Sequence, residues 1–391
     1  MSISADVLRA YRSIDEKTVD ELLAQEIKNN NKKIVVLDDD PTGVQTVHDI
    51  SVYTGWDADS LREAFAEENN LFYILTNSRG FTEEQTKAAH LEIADAVDRA
   101  AKEASRDYIF LSRSDSTLRG HYPLETRLLK EYYERNTGVK LDGEILCPFF
   151  KEGGRYTIGN VHYVKYGDEL VPAHETEFAK DKTFGYTAED LPDYVEEKTA
   201  GEYKAKDVIS ISLEDIRSMD FDKIESQLMS AENFNKIIVN AIDYSDIKVF
   251  AVALFRAMNA GKMFMFRTAA ALVKVMGGVS DMPLLTRSDM IFNETENGGI
   301  IVVGSHTAKT TSQLECLKEI ADIEFIELDA NLVRDEEGFA NEVDRCLALE
   351  GEYIESGKTV CCYTSRSLVV ANTGDKEDEL RLSVRISDAV Q

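Results

Sequence analysis

Residues that staple or stiffen a fold are scarce in this chain: its 391 residues include five cysteines, six prolines and one tryptophan. The cysteines, Cys147, Cys316, Cys346, Cys361 and Cys362, show no CxxC spacing, which removes zinc-ribbon and dithiol-motif readings, and the adjacent pair Cys361-Cys362 is poorly placed to bridge itself. A reducing cytoplasm is the expected compartment. No apolar run reaches the ~18 residues that indicate a membrane span. Residues 249–276 come nearest, but Arg256, Lys262, Arg267 and Lys274 interrupt them, so they read as buried helices. The first residues, MSISADVLRAYRSIDEKTVDELLAQ, are acidic and amphipathic and lack the basic and apolar regions of a signal peptide. Positive charge is also in short supply, with 44 Lys and Arg against 72 Asp and Glu and a formal net charge of -28. Such a field repels nucleic acid and anionic membranes, and an anionic substrate must be held by a local basic pocket.

What is present is enough for a sizeable core: 43% of residues are hydrophobic and 30% charged. The length exceeds one ordinary domain, so two are expected. Short β-rich runs alternate with helical patterns: KKIVVLDDD, NLFYILTNS, RDYIFLSRS, GEILCPFF, KDVISISL, NKIIVNAI, GKMFMFR, GGIIVVGS, EFIELDA and KTVCCYTS. That alternation predicts an α/β fold of two domains, each with a mostly parallel sheet flanked by helices. Thr82 and Gln85 predict a capping box ahead of a helix carrying Ala88, Leu91, Ile93, Ala94 and Val97. Residues 275–299 are turn-rich and lose periodicity, so the predicted domains are 1–285 and 298–391.

Polar residues gather where the predicted strands end, the edge that carries functional loops in such sheets. IVVLDDDPTGVQ ends a strand in Asp38, Asp39 and Asp40, three carboxylates that repel one another; one could accept a proton from a substrate hydroxyl while Gly43 permits close backbone approach. A turn capped by Asp and Thr is the structural alternative. YIFLSRSDSTLRG delivers Arg113, Ser114, Asp115, Ser116, Thr117 and Arg119 within seven residues. A forked guanidinium with neighbouring hydroxyls suits a polyhydroxy carboxylate, whereas a helix N-terminus capped by Asp115 or Ser116 is the plainer reading. YILTNSRGF adds Arg79 at a further strand exit, and CPFFKEGGRYTIGNVHYV adds Arg155 and His162, either of which could face a ligand, although a hydrogen-bonded structural histidine is the commoner outcome for His162. GGIIVVGSHTAKTTSQL places Gly304 and Ser305 before a Thr-rich helix start, whose N-H groups can bind phosphate, although the spacing is not that of GxxxxGK[ST].

Taken together these segments resemble the four-carbon acid sugar kinase family, along nearly the whole chain and in the expected order. Residues 39–43, DDPTG, resemble that family's ADDxTG motif, with Asp38 in place of the small residue; residues 115–120 match DSTLRG; and Arg79 matches its SR element. VPAHETEFAKD, residues 171–181, resembles its VP-x-x-x-TEFA-x-D stretch, and Arg113 stands where the family has Lys. The resemblance implies a first domain that binds an aldonate such as threonate or erythronate and a second that binds ATP with Mg²⁺. Substrate contacts would be Asp39, Arg79, Arg113, Ser114, Asp115, Ser116, Thr117 and Arg119, with Arg119 and Arg79 on the carboxylate; Asp39 or Asp40 would be the base. ATP contacts would be Gly304, Ser305, Thr364 and Ser365, and the residues holding a metal are left open. No GG-x-T segment of the family's kind lies downstream of Ser365, so the second domain is expected to be incomplete.

Two rivals remain. IVVLDDDPT also fits the hhhhDxDxT pattern of haloacid-dehalogenase-like phosphatases, with Asp38 as nucleophile and Asp40 as acid/base, but that leaves DSTLRG and GSHTAKT unexplained. The non-enzyme rival is a truncated, inactive acid-sugar binding protein. The partners expected are an acid sugar and ATP, without nucleic acid or membrane, and homo-oligomer formation is left open.

Overall fold

The strands that end at Asp38, Arg113 and Cys147 are buried along their whole length, as parallel strands covered on both faces must be. The computed structural model describes residues 2–291, 295–371 and 375–390. The chain divides into two compact units, Met1–Met282 and Pro283–Gln391.

In the first unit the strands are β1 (Ile3–Ser4), β2 (Lys33–Asp38), β3 (Val52–Tyr53), β4 (Leu71–Leu75), β5 (Tyr108–Arg113), β6 (Gly143–Cys147), β7 (Arg155–Ile158), β8 (Val161–Tyr166), β9 (Glu169–Pro172), β10 (Ile209–Ile211), β11 (Asn235–Val239) and β12 (Phe264–Thr268). Eight form a parallel sheet in the order β10-β11-β6-β12-β5-β2-β4-β3. Every residue of β2, β5, β6 and β12 is buried, which explains their largely apolar runs. The helix Glu83–Ala104 begins at the predicted capping box, with Thr82 N donating to Gln85 Oε1 at 2.9 Å and Gln85 N to Thr82 Oγ1 at 3.3 Å. It packs with the helices Ala58–Ala66 and Leu124–Thr137, while Glu16–Asn29, Phe221–Met229 and Ala270–Gly277 pack around Tyr244–Asn259. Residues 249–276 are thus two buried helical segments with β12 between them.

A four-stranded antiparallel sheet, β1-β9-β8-β7, was not among the predicted elements. Its hairpin pairs Ile158 with Val161 across Gly159 (φ 56°) and Asn160 (φ 67°). Two successive left-handed residues make the two-residue turn that matches strand twist, and Gly-Asn supplies them cheaply.

The second unit has a parallel sheet ordered β13-β15-β14, with β13 at Ile300–Val303, β14 at Ile323–Leu328 and β15 at Thr359–Thr364. Ile326, Leu328, Val333, Phe339, Val360 and Cys362 form its core, and Leu382, Ile386 and Val390 of the helix Lys376–Val390 pack against it. No described helix is long and apolar enough to cross a membrane.

Candidate active site

Register decides which polar residues meet. Asp38 of β2 lies level with Arg113 of β5 and Leu75 of β4, and Thr268 of β12 lies level with Arg113, so four strand exits open onto one edge of the sheet. Asp38 is wholly buried, and Arg113 Nη2 bonds both its carboxylate and the Asp40 carbonyl. The chain then folds back so tightly that a Cβ on Gly43 would lie 2.2 Å from Arg113 Nε and 2.2 Å from Asp38 Oδ2. Only glycine fits that approach.

Arg79 gathers the other two carboxylates. Its Nη2 and Nε lie 2.7 and 3.3 Å from Asp39 Oδ1 and Oδ2, and its Nη1 lies 2.8 Å from Asp40 Oδ2. Asp40 Oδ1 is committed as well, accepting from Thr42 N at 2.8 Å and from the Thr42 hydroxyl. On the loop after β5, Arg119 Nε donates to Asp115 Oδ2 at 2.7 Å, Thr117 Oγ1 donates to the same carboxylate, and Arg119 Nη1 is 3.9 Å from Asp181 Oδ2. The next helix starts only at Leu124, so Asp115 and Ser116 cap no helix. Residues Asp39, Asp40, Arg79, Arg113, Ser114, Asp115, Ser116, Thr117 and Arg119 therefore occupy one neighbourhood, which their spacing along the chain could not establish.

Four consecutive carbonyls of this loop are each held by a different side chain. His162 Nε2 donates to Ser116 O at 2.7 Å, Tyr186 Oη to Thr117 O at 3.1 Å, Tyr194 Oη to Leu118 O at 2.8 Å and Arg267 Nη2 to Arg119 O at 2.9 Å. Leu118 at φ 72° and Gly120 at φ 110° complete the turn. His162 is a strut: its Nε2 must carry the proton to reach a carbonyl, leaving Nδ1 to accept from Thr157 Oγ1 at 3.0 Å, and burial pushes its pKa down to about 4. Sequence reading did not single out Tyr186, Tyr194 or Arg267 for the loop. The one available signal was an arginine inside the otherwise apolar strand FMFRT.

Burial raises the Asp39 pKa to about 6, helped by repulsion from Glu125 and Asp115 and opposed by Arg79. Asp115 is held well below the usual carboxylate range: burial raises it, but the charges of Arg79 and Arg119 and the hydrogen bonds from Arg119 and Thr117 prevail. Two carboxyls in one site are thus pushed in opposite directions, the pattern by which acid and base roles separate. Burial also brings Arg113 down to about 10. The phosphatase reading fails on Asp38: its carboxylate is fully buried against Arg113 and presents no nucleophile.

In the second unit, Gly304 and Ser305 follow β13 beside the end of β15, where Thr364 Oγ1 donates to Gly304 O at 2.8 Å. Thr307 caps the helix Ala308–Lys318. Arg366, absent from the predicted contacts, joins these pieces: Nη2 reaches Ser305 O and lies 3.0 Å from Thr311 Oγ1. Ser365 turns elsewhere, its Oγ accepting from Ala330 N at 3.1 Å. Gly304, Ser305 and Thr364 therefore border a helix N-terminus, and Ser365 braces the loop after β14.

The sequence matches the family description "Sugar-binding N-terminal domain" over residues 34–276 and "Nucleotide-binding C-terminal domain" over residues 300–391. The chain belongs to the four-carbon acid sugar kinase family. In this family member the nucleotide-binding match continues to the last residue of the chain. No curated protein matches it. Among solved structures, a Bordetella bronchiseptica domain of unknown function, crystallised with bound citrate as a domain-swapped dimer, is 16% identical with a TM-score of 0.47, covering 92% of this chain and 79% of that one. A Haemophilus influenzae protein of the same unknown-function family is 17% identical with a TM-score of 0.43, over 91% of this chain and 80% of that one.

Proposed function

We propose that the chain is an ATP-dependent kinase that phosphorylates a hydroxyl of a four-carbon acid sugar of the threonate or erythronate type. The observation that carries this reading is the buried Asp39 carboxyl, with its pKa raised to about 6, beside the hydroxyl-rich, arginine-bearing loop 114–119. A base works best when its pKa lies near the operating pH. Asp39 is assigned the base on that raised pKa and its burial; both of its oxygens contact Arg79, as those of Asp40 contact Arg79 and Thr42.

In the proposed reaction a substrate hydroxyl attacks the γ-phosphorus, its proton passes to Asp39, the new O-P bond forms as the bond to the β-phosphate oxygen breaks, and ADP departs. Arg79 orients Asp39 through its two-point contact, and Ser114, Ser116 and Thr117 meet substrate hydroxyls. Arg119 takes the acid group, while Arg113 keeps the Asp38–Asp40 turn in shape. Gly304, Ser305 and Thr364 would contact the nucleotide, whose phosphates suit the N-H groups of the helix Ala308–Lys318. Among the described residues no group of three His, Cys, Asp or Glu is arranged to hold a metal ion. Mg²⁺ is assigned to the nucleotide phosphates, where it ordinarily binds, and no step is routed through it.

The test is ADP release from ATP and Mg²⁺ with each stereoisomer of threonate and erythronate, beside calorimetric titration of each acid. Turnover with at least one acid is expected. Binding without turnover would leave an acid-sugar binding protein, and no binding of any acid would remove the reading.

A further inference from the structure

Arginines crowd the sugar-binding site, and almost all of them are already answered by a carboxylate. Arg79 is paired with Asp39 and Asp40, Arg113 with Asp38, Arg119 with Asp115, and Arg267 lies 3.6 Å from Glu125 Oε2. A carboxylate arriving from a substrate would have to compete with each of those partners. Arg155, the first residue of β7, differs. It forms no ion pair among the described residues: its Nη1 donates to the Gly153 carbonyl, and its buried Nε has no hydrogen-bond partner. A buried guanidinium N-H without an acceptor costs free energy until something accepts from it.

Its position is as telling as its lack of a partner. Arg155 lies against the ring of Phe178 with its guanidinium carbon 5.5 Å from the ring centre, and the guanidinium carbon of Arg119 lies 5.1 Å from the same centre. One aromatic ring therefore holds two guanidinium groups, the second of which belongs to the loop assigned to the substrate. The Arg119 charge also opposes that of Arg155, and an anion reaching both would relieve that repulsion.

We infer that Arg155 is the specificity-determining residue for the substrate's acid group, completing with Arg119 a two-arginine clamp built on Phe178 that favours a sugar acid over the corresponding neutral polyol. This rests on the acid-sugar reading proposed above. A planar fork can bind a carboxylate through two parallel N-H···O bonds, which an ammonium cannot reproduce.

Binding of threonate, erythronate and the neutral tetritols threitol and erythritol would be measured by calorimetry for the full chain and for Arg155→Met, Arg155→Gln and Arg155→Lys, with thermal midpoints as a check on folding. The Met and Gln variants are expected to bind the acids at least tenfold more weakly, with the tetritols unchanged, and Lys to recover only part of the loss. In turnover the loss is expected in KM more than in kcat. An acid-to-tetritol preference equal to the unsubstituted protein's in any folded Met or Gln variant overturns the assignment of Arg155. Failure of the unsubstituted protein to bind any acid would instead overturn the acid-sugar reading on which it rests.

Discussion

The raised pKa of Asp39 makes a quantitative prediction about stability. In the unfolded chain its carboxyl titrates near 3.8, and in the folded protein near 6. The folded state therefore binds this proton more tightly. The contribution to stability is fully present below the unfolded value and is lost as pH rises through about 6. At about 1.4 kcal/mol per pH unit across that window, the total is about 3 kcal/mol. Asn keeps the shape of Asp39 and removes the titration, so the perturbation of choice is Asp39→Asn. Urea unfolding of both proteins at intervals from pH 4 to 7 isolates the residue, because other titrating groups largely cancel in the difference. The stability of the unsubstituted protein relative to the variant should fall by about 2 kcal/mol from pH 4 to 7, part of the total being lost already at pH 4, with most of the change between 4 and 6. A difference that is flat with pH would refute the reasoning, since it would mean that Arg79 offsets the burial of Asp39 completely. The same proton has a kinetic signature: if Asp39 is the base, kcat/KM should rise with pH through about 6 and then level off, and Asp39→Asn should lose turnover while still binding the acid sugar.

Three further outcomes are expected. Gly43→Ala should destabilise the first unit by about 3 kcal/mol in urea, because the added methyl displaces the buried Arg113–Asp38 pair; a loss below about 0.5 kcal/mol would show that the pair can move aside. Arg119→Ala should weaken acid binding by roughly 2 kcal/mol, the scale of a lost charge-assisted contact, and unchanged affinity by calorimetry would remove Arg119 from the clamp. Arg366→Ala frees Ser305 and Thr311 from their shared guanidinium and should lower ATP affinity by roughly tenfold, about 1.4 kcal/mol, with acid binding untouched.

Much of this architecture was legible because parallel core strands advertise themselves. Buried on both faces, they read as continuous apolar runs, and all ten predicted β-rich runs contain a strand. Polar segments at their ends marked one edge of the sheet for the same reason: a strand exit is where buried backbone gives way to loop. The antiparallel sheet was missed because β1, β7 and β9 are short and the turn signal of Gly159-Asn160 between β7 and β8 was not read as a hairpin. His162 was left open between ligand and strut; the bond to Ser116 O settled it as a strut.

By itself the sequence determined the α/β class, the strand ends at which polar residues gather and the residue types available there, since these follow from local pattern and composition. The partner of each residue was decided only by tertiary structure. Strand order β5-β2-β4 puts Arg113 on Asp38 and Arg79 on Asp39 and Asp40, while the loop after β5 closes Arg119 onto Asp115, and β7 brings an arginine with no such partner to the same aromatic ring. Charge pairing falls steeply with distance and burial, so a motif can name the ions in a site but only the packed sheet determines which of them remains free for a ligand.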